Sequence, residues 1–284
     1  MNSALVSVVI PTWNRAALLG DALDSVFAQD HAQVQVIVVD DGSTDDTWSL
    51  AARYPGVEYY RQEHAGSASA RNCGVAHARG DYVAFLDSDD VWLRGKLRTE
   101  LDLFRQFPAA GAIISDSEHW LQDRQTRASR FAATLPGFPT GEPWFLPRDT
   151  TLWVDVSLFS TCCLILKRPV LDAVAQPVFT TAMEANEDWD FEIRMYQVCE
   201  VLVCPRILAR VRRYPDHTRG NRAIPGTTAT VEQLRCGAVR HKRIMQRART
   251  LQGLTPDQTR KIEEKLAELE LKIVDFDLRI RGAA

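Results

Sequence analysis

The first part of the chain switches repeatedly between short apolar runs and stretches of helical period. "LVSVVI" (5–10) is a β-branched run that reads as a strand buried on both faces. In "AALLGDALDSVFAQ" the apolar positions Leu18, Leu19, Ala22, Leu23, Val26 and Phe27 recur at helical spacing. "VQVIVVD" (34–40) is a second strand, and "STDDTWSLAARY" a helix that Ser43 or Thr44 would cap. "VEYYRQ", "DYVAFLD" and "GAIISD" read as further strands, with "GSASARNCGVAHA" and "LRGKLRTELDLFRQF" as helices between them. This alternation predicts an α/β fold, a mostly parallel sheet flanked by helices, with ligands bound at the carboxyl ends of the strands.

Residues 116–150 lose that regularity. "LPGFPTGEPWFLP", with Phe138, Trp144 and Phe145, reads as a long surface loop, a lid or a substrate wall. The pattern resumes with a buried strand in "STCCLILKR", a helix opened by acids in "EANEDWDFEIRMYQ", and the apolar run "VLVCPRILARVRRY". Near the end, Ile262, Leu266, Leu269, Ile273, Phe276 and Ile280 form a heptad seam, which predicts a homodimer through this helix or its return onto the chain's own surface.

Composition changes this picture little. With 45% hydrophobic and 25% charged residues and a net charge of −3, the chain is ordinary globular protein, and no nucleic-acid partner is expected. No apolar run approaches the roughly 20 residues that span a bilayer, and "MNSALVSVVIPTWNR" lacks the basic start of a signal peptide. A cytoplasmic location is the expectation. The six cysteines contain no C-x-x-C pair, which argues for free buried thiols rather than a zinc site. Residues 205–261 hold 14 Lys/Arg against three Asp/Glu. That stretch is either a solvated helical face or a patch for peripheral contact with the inner face of a membrane and a lipid-linked anionic acceptor.

The chemistry gathers at strand ends. Asp40-Asp41 closes the second strand, and Asp87-Ser88-Asp89 closes the fourth, so both acidic clusters should open onto one crevice. Alone, each could simply make a turn or cap a helix. A D-x-D pair just past a strand can face one divalent cation, and its all-oxygen ligation suits Mg²⁺ or Mn²⁺ shared with substrate phosphates. Neither a G-x-G-x-x-G after the first strand, a P-loop nor a G-x-S-x-G elbow is present. In the later acidic helix Glu187, Asp188, Asp190 and Glu192 are all candidate bases, with 188 and 192 on one face. Trp13 and Trp92 flank the crevice, where either could stack on a ring or simply pack.

Four ordered segments, "VSVVIPTWNRAALLGDALDSVFAQ", "VIVVDDGSTDDT", "GSASARNCGVAHARGDYVAFLDSDD" and "NEDWDF", resemble the successive signatures of family 2 glycosyltransferases of the GT-A fold. The resemblance covers roughly residues 4–220. It implies a catalytic domain over 1–220, with a donor half to about 115 and an acceptor half from 116, followed by a helical extension over 221–284. It implies an inverting, metal-dependent transfer from a UDP-, dTDP- or GDP-sugar to a glycan or lipid-linked acceptor. Pro11, Thr12 and Asn14 would line the nucleotide pocket, and Asp40 and Asp41 would meet base and ribose, Asp41 being favoured for a base N–H. Arg71 would face the nucleotide or its diphosphate. Asp87, Ser88 and Asp89 would serve ribose and metal, His217 the metal or diphosphate, and Asp188 would be the base. A Q-x-x-R-W motif is absent, which argues against a processive membrane synthase. Two other readings remain: a sugar-1-phosphate nucleotidyltransferase, which would want a glycine-rich loop where "PTWNRAALL" stands, and a non-catalytic carbohydrate-binding protein on the same fold.

Overall fold

The computed structural model describes residues 4–31, 33–120, 126–134, 139, 141–158, 160–183, 185–212 and 230–282. The N-terminal part runs β1 (Val6–Thr12), α1 (Leu19–Phe27), β2 (Val34–Asp40), α2 (Thr47–Ala51), β3 (Val57–Arg61), α3 (Ser67–His77) and β4 (Tyr82–Phe85). A two-residue β5 (Val91–Trp92) and α4 (Lys96–Gln106) follow the acidic turn after β4. Next come β6 (Ala110–Trp120), β7 (Thr126–Ser129), α5 (Arg130–Thr134), β8 (Trp144–Phe145) and α6 (Leu152–Asp155). A single 3₁₀ turn (Thr161–Cys163) leads into β9 (Leu164–Lys167), α7 (Arg168–Ala173), α8 (Glu187–Val198) and β10 (Glu200–Arg212). The chain ends in α9 (Val231–Ala248) and α10 (Pro256–Gly282).

All ten strands join one sheet in the order β3-β2-β1-β4-β9-β6-β10-β5, with β7 added to β6 and β8 to β10. The first four strands are mutually parallel, and so are β6 and β10. β9 enters antiparallel between β4 and β6 and joins the two halves. Sequence pattern cannot reveal that direction, because a strand buried on both faces looks the same either way. β1 is buried at every position, in keeping with its place inside the sheet. Pro11 is tolerated there because β4 pairs with β1 only as far as Val9, so the missing N–H breaks no ladder on that side. α3 lies so close to β1 that a Cβ on Gly74 would stand 2.3 Å from a methyl of Val9.

Two expectations are corrected. Neither Ser43 nor Thr44 caps α2, which starts at Thr47 after Asp46. The supposed loop over 116–150 contains the end of β6, all of β7, α5 and β8; Phe138 lies outside the described residues. The first part of the α10 heptad seam packs within the chain, whereas Leu271, Val274 and Leu278 are exposed. Ile262, Leu266 and Leu269 are buried, and Ile273 and Phe276 pack beside them, mainly against α9. Ion pairs Arg235–Asp277 and Lys242–Glu270 run between the two helices. Of the basic stretch over 205–261, Arg235, Lys242 and Arg249 pair with acids of α10.

Candidate active site

The crevice opens where β1, β2 and β4 end. Thr12 is paired with Asp40, and Val9 with Phe85, so the "PTWN", "DDGS" and "DSDD" turns emerge side by side. Asn14, at φ 51°, is a left-handed residue of the kind asparagine tolerates. Its N–H donates to Ser43 Oγ at 2.8 Å and its side-chain oxygen accepts from the Thr44 N–H at 2.8 Å. Asn14 therefore locks the first turn to the second. The Thr12 hydroxyl is buried with no hydrogen-bond partner, an orphan that calls for a ligand.

The two aspartates after β2 are engaged differently. Asp40 is buried; it accepts the Ser43 N–H at 2.8 Å and the Tyr59 hydroxyl. Burial and this carboxylate push the Tyr59 phenol well above its ordinary range. The Asp41 carboxylate accepts Gln62 Nε2 at 2.7 Å and the N–H groups of Ala65 and Gly66 at 2.8 Å each, and the Asp41 backbone carbonyl accepts His64 Nδ1 at 3.1 Å. Those three carboxylate donors, two on one oxygen and one on the other, leave part of its accepting capacity open. His64 also stacks on Trp13, with ring centroids 4.4 Å apart, and Trp13 is 47% exposed at the crevice rim. Trp92, by contrast, is buried and donates to the Cys162 carbonyl at 2.9 Å, so it is a packing residue.

The acidic turn after β4 alternates. Asp87 and Asp89 are partly open, whereas Ser88 and Asp90 are buried. Asp87 accepts Arg71 Nη2 at 2.7 Å, and Asp89 stands 3.7 Å from Arg15 Nε. Asp90 accepts the Arg212 N–H at 2.9 Å; the Arg212 guanidinium donates to the Asp89 carbonyl at 3.1 Å and to Asp21 at 3.1 Å. The last residue of β10 thus pins the turn onto α1. Sequence reading missed both arginines: Arg15 belongs to a motif already quoted, while the role of Arg212 depends on a strand pairing that no local pattern shows.

α8 brings the later acids to the same place. Asn186 enters it at φ 66°, again left-handed. Glu187 accepts Arg71 Nη1 at 2.6 Å and Ser67 Oγ at 2.6 Å. Asp190 is buried between Arg194 and Arg247. Glu192 is fully buried and accepts Ser157 Oγ, the Leu158 N–H and the Tyr196 hydroxyl, at 2.7, 2.8 and 2.7 Å. Asp188 alone of the four meets no side-chain donor among the described residues; it accepts only the N–H of Trp189, at 2.9 Å. Burial foremost, then the charge of Glu187, raises its pKa to about 6, with Arg71 opposing.

Arg71 is 5% exposed and joins the two halves, with one nitrogen on Asp87 and another on Glu187. Its Nε is buried and has no hydrogen-bond partner among the described residues. His217 lies outside the described residues. No group of three or more His, Cys, Asp or Glu suited to hold a metal exists among the described residues. None of their helices is long and apolar enough to cross a membrane.

Known proteins agree with this layout. A family model described as "Glycosyl transferase family 2" matches residues 7–174. An uncharacterized glycosyltransferase of Rickettsia prowazekii is 34% identical over 224 residues, 76% of this chain and 66% of that protein. The match spans less than two thirds of several curated relatives, 18% of one from Rickettsia conorii. Residues 1–349 of TarS from S. aureus, solved with UDP-GlcNAc, superpose with a TM-score of 0.66 at 19% identity, covering 96% of this chain and 73% of that one. A mannosyltransferase from Pyrobaculum calidifontis, solved with GDP-Man and Mn²⁺, gives a TM-score of 0.66 at 19% identity, covering 100% and 76%. At that identity the two structures establish a shared GT-A-like fold.

Proposed function

The chain belongs to glycosyl transferase family 2, and on that premise we propose that it transfers a sugar from a nucleoside-diphosphate sugar to an acceptor hydroxyl, with inversion at the anomeric carbon. The observation that carries this reading is Asp188. It is the one acid of its helix left without a cation or side-chain donor, its pKa is raised to about 6, and Arg71 holds its neighbour Glu187 against the D-x-D turn. A base poised near neutral pH can accept a hydroxyl proton yet remain ionised enough to act. Asp188 takes the proton as the acceptor oxygen bonds to C1, and the bond from C1 to the diphosphate breaks on the opposite face. The leaving diphosphate departs with the electron pair.

The donor would lie along the ends of β1, β2 and β4. The orphaned Thr12 hydroxyl offers an unsatisfied polar group there, and the exposed face of Trp13 offers a stacking surface for a base. Asp87 and Asp89, both half-open, fit Mg²⁺ or Mn²⁺ of the kind that completes its shell with substrate phosphates. Such an ion supplies charge to offset the leaving diphosphate. The Mn²⁺ named with the Pyrobaculum enzyme and the nucleotide-sugars named with both solved relatives support this reading. A glycan hydroxyl, free or lipid-linked, is the acceptor class in keeping with the family. The test is a panel of UDP-, dTDP- and GDP-sugars incubated with the protein and Mn²⁺, scored for release of nucleoside diphosphate. Release from none of them, by folded protein, would overturn the proposal.

A further inference from the structure

The contacts of α9 point past a simple C-terminal appendage. Its buried face, Ala238, Ile244, Met245 and Ala248, packs on α8 and α10. His241 Nε2 donates to the Val154 carbonyl at 2.7 Å, and its ring lies 4.6 Å from that of Trp189. Trp189 in turn donates to the Trp153 carbonyl at 2.9 Å. One residue on, Asp190 accepts Arg247 Nε at 2.5 Å from α9 and Arg194 at 2.8 Å from its own helix. The two residues that directly follow Asp188 are therefore both held by α9.

We propose that α9 is a positioning element of the active site, in which His241 and Arg247 fix the first turn of α8 and so aim Asp188. This rests on Asp188 being the base. A helix's first turn lacks the full set of intrahelical bonds and frays most easily. Here it also carries three acids, Glu187, Asp188 and Asp190, and follows a left-handed residue. Asp188 has no side-chain partner to orient it, so its direction depends on the neighbours that do.

The test uses the full chain and its Arg247→Ala, Arg247→Lys and His241→Ala variants. Turnover is read as Mn²⁺-dependent hydrolysis of the best nucleotide-sugar, and donor-site integrity as the Kd of UDP with Mn²⁺ by calorimetry. Displacement of a catalytic group should lower kcat roughly tenfold in Arg247→Ala and His241→Ala and leave the Kd within about twofold, with Arg247→Lys recovering most of kcat. Amide exchange over 187–192 should quicken in both alanine variants. Unchanged kcat and exchange, or an equal loss of UDP affinity, would overturn the proposal. If the wild-type chain hydrolyses no nucleotide-sugar, the proposed function fails, and exchange over 187–192 alone decides whether α9 holds this turn.

Discussion

Arg71 donates to Glu187 at 2.6 Å across 116 residues of sequence. The same guanidinium donates to Asp87 at 2.7 Å, so one buried cation sets the distance between the D-x-D turn and the helix bearing Asp188. Removing one partner of a buried pair leaves the other charge uncompensated, at a cost of about 3–5 kcal/mol. Arg71→Met should therefore lower unfolding free energy by that order in urea titration. Arg71→Lys should recover part of it, since an ammonium cannot fork to both carboxylates as well. A loss below 1 kcal/mol, on the order of a surface pair, would show that the bridge does not hold the halves together.

Asp89→Ala should abolish Mn²⁺-dependent binding of nucleoside diphosphate while leaving the fold intact. Asp89 is partly open and its neighbour Asp90, not Asp89, caps β10. Calorimetry with UDP or GDP, with and without Mn²⁺, reads this directly; metal-dependent affinity unchanged from wild type would remove Asp89 from the metal site.

The sequence revealed much of this site, but unevenly. β2 spans 34–40 as its apolar run predicted, and both acidic clusters do end strands on one edge. Such runs are legible because burial on both faces demands continuous apolar residues. β6 was underestimated because its second half, "DSEHW", carries charge. Glu118 is stabilised there by Arg210 on the adjacent strand, a partner far away in sequence. The donors that Asp41 accepts from residues 62–66 were not legible, because a turn's hydrogen bonds are invisible until the loop is folded. The α10 seam was read correctly as a packing face, but its partner, α9, could not be identified from periodicity alone.

Stability should fall as pH rises from about 4 to about 7. Burial moves Glu192 up to about 7, whereas in the unfolded chain it titrates near 4.3. Between those values the folded state holds a proton that the unfolded state has released, so folding loses stability as pH rises, by about 4 kcal/mol overall. Asp188, raised to about 6, acts in the same direction. Glu192→Gln should flatten the slope of unfolding free energy between pH 5 and pH 8, measured in urea against wild type. An identical slope in the two proteins would show that Glu192 is ionised throughout.

Leu266→Ala should destabilise the chain by about 2–5 kcal/mol, because Leu266 is buried in the α9–α10 interface. Light scattering should give one molar mass for wild type and variant alike, since the first part of the seam packs within the chain. A fall to half the wild-type mass would instead mean that Leu266 holds two copies together.

The central claim is that Asp188 deprotonates the nucleophile of an inverting sugar transfer. The most direct measurement follows a nucleotide-sugar with Mn²⁺ by NMR, comparing wild type with Asp188→Asn and recording the anomer first formed. The account predicts a product inverted relative to the donor, and in Asp188→Asn a turnover lower by about 10²–10⁴-fold with donor affinity nearly unchanged. Near-wild-type turnover in the variant, or retention of configuration, would contradict it.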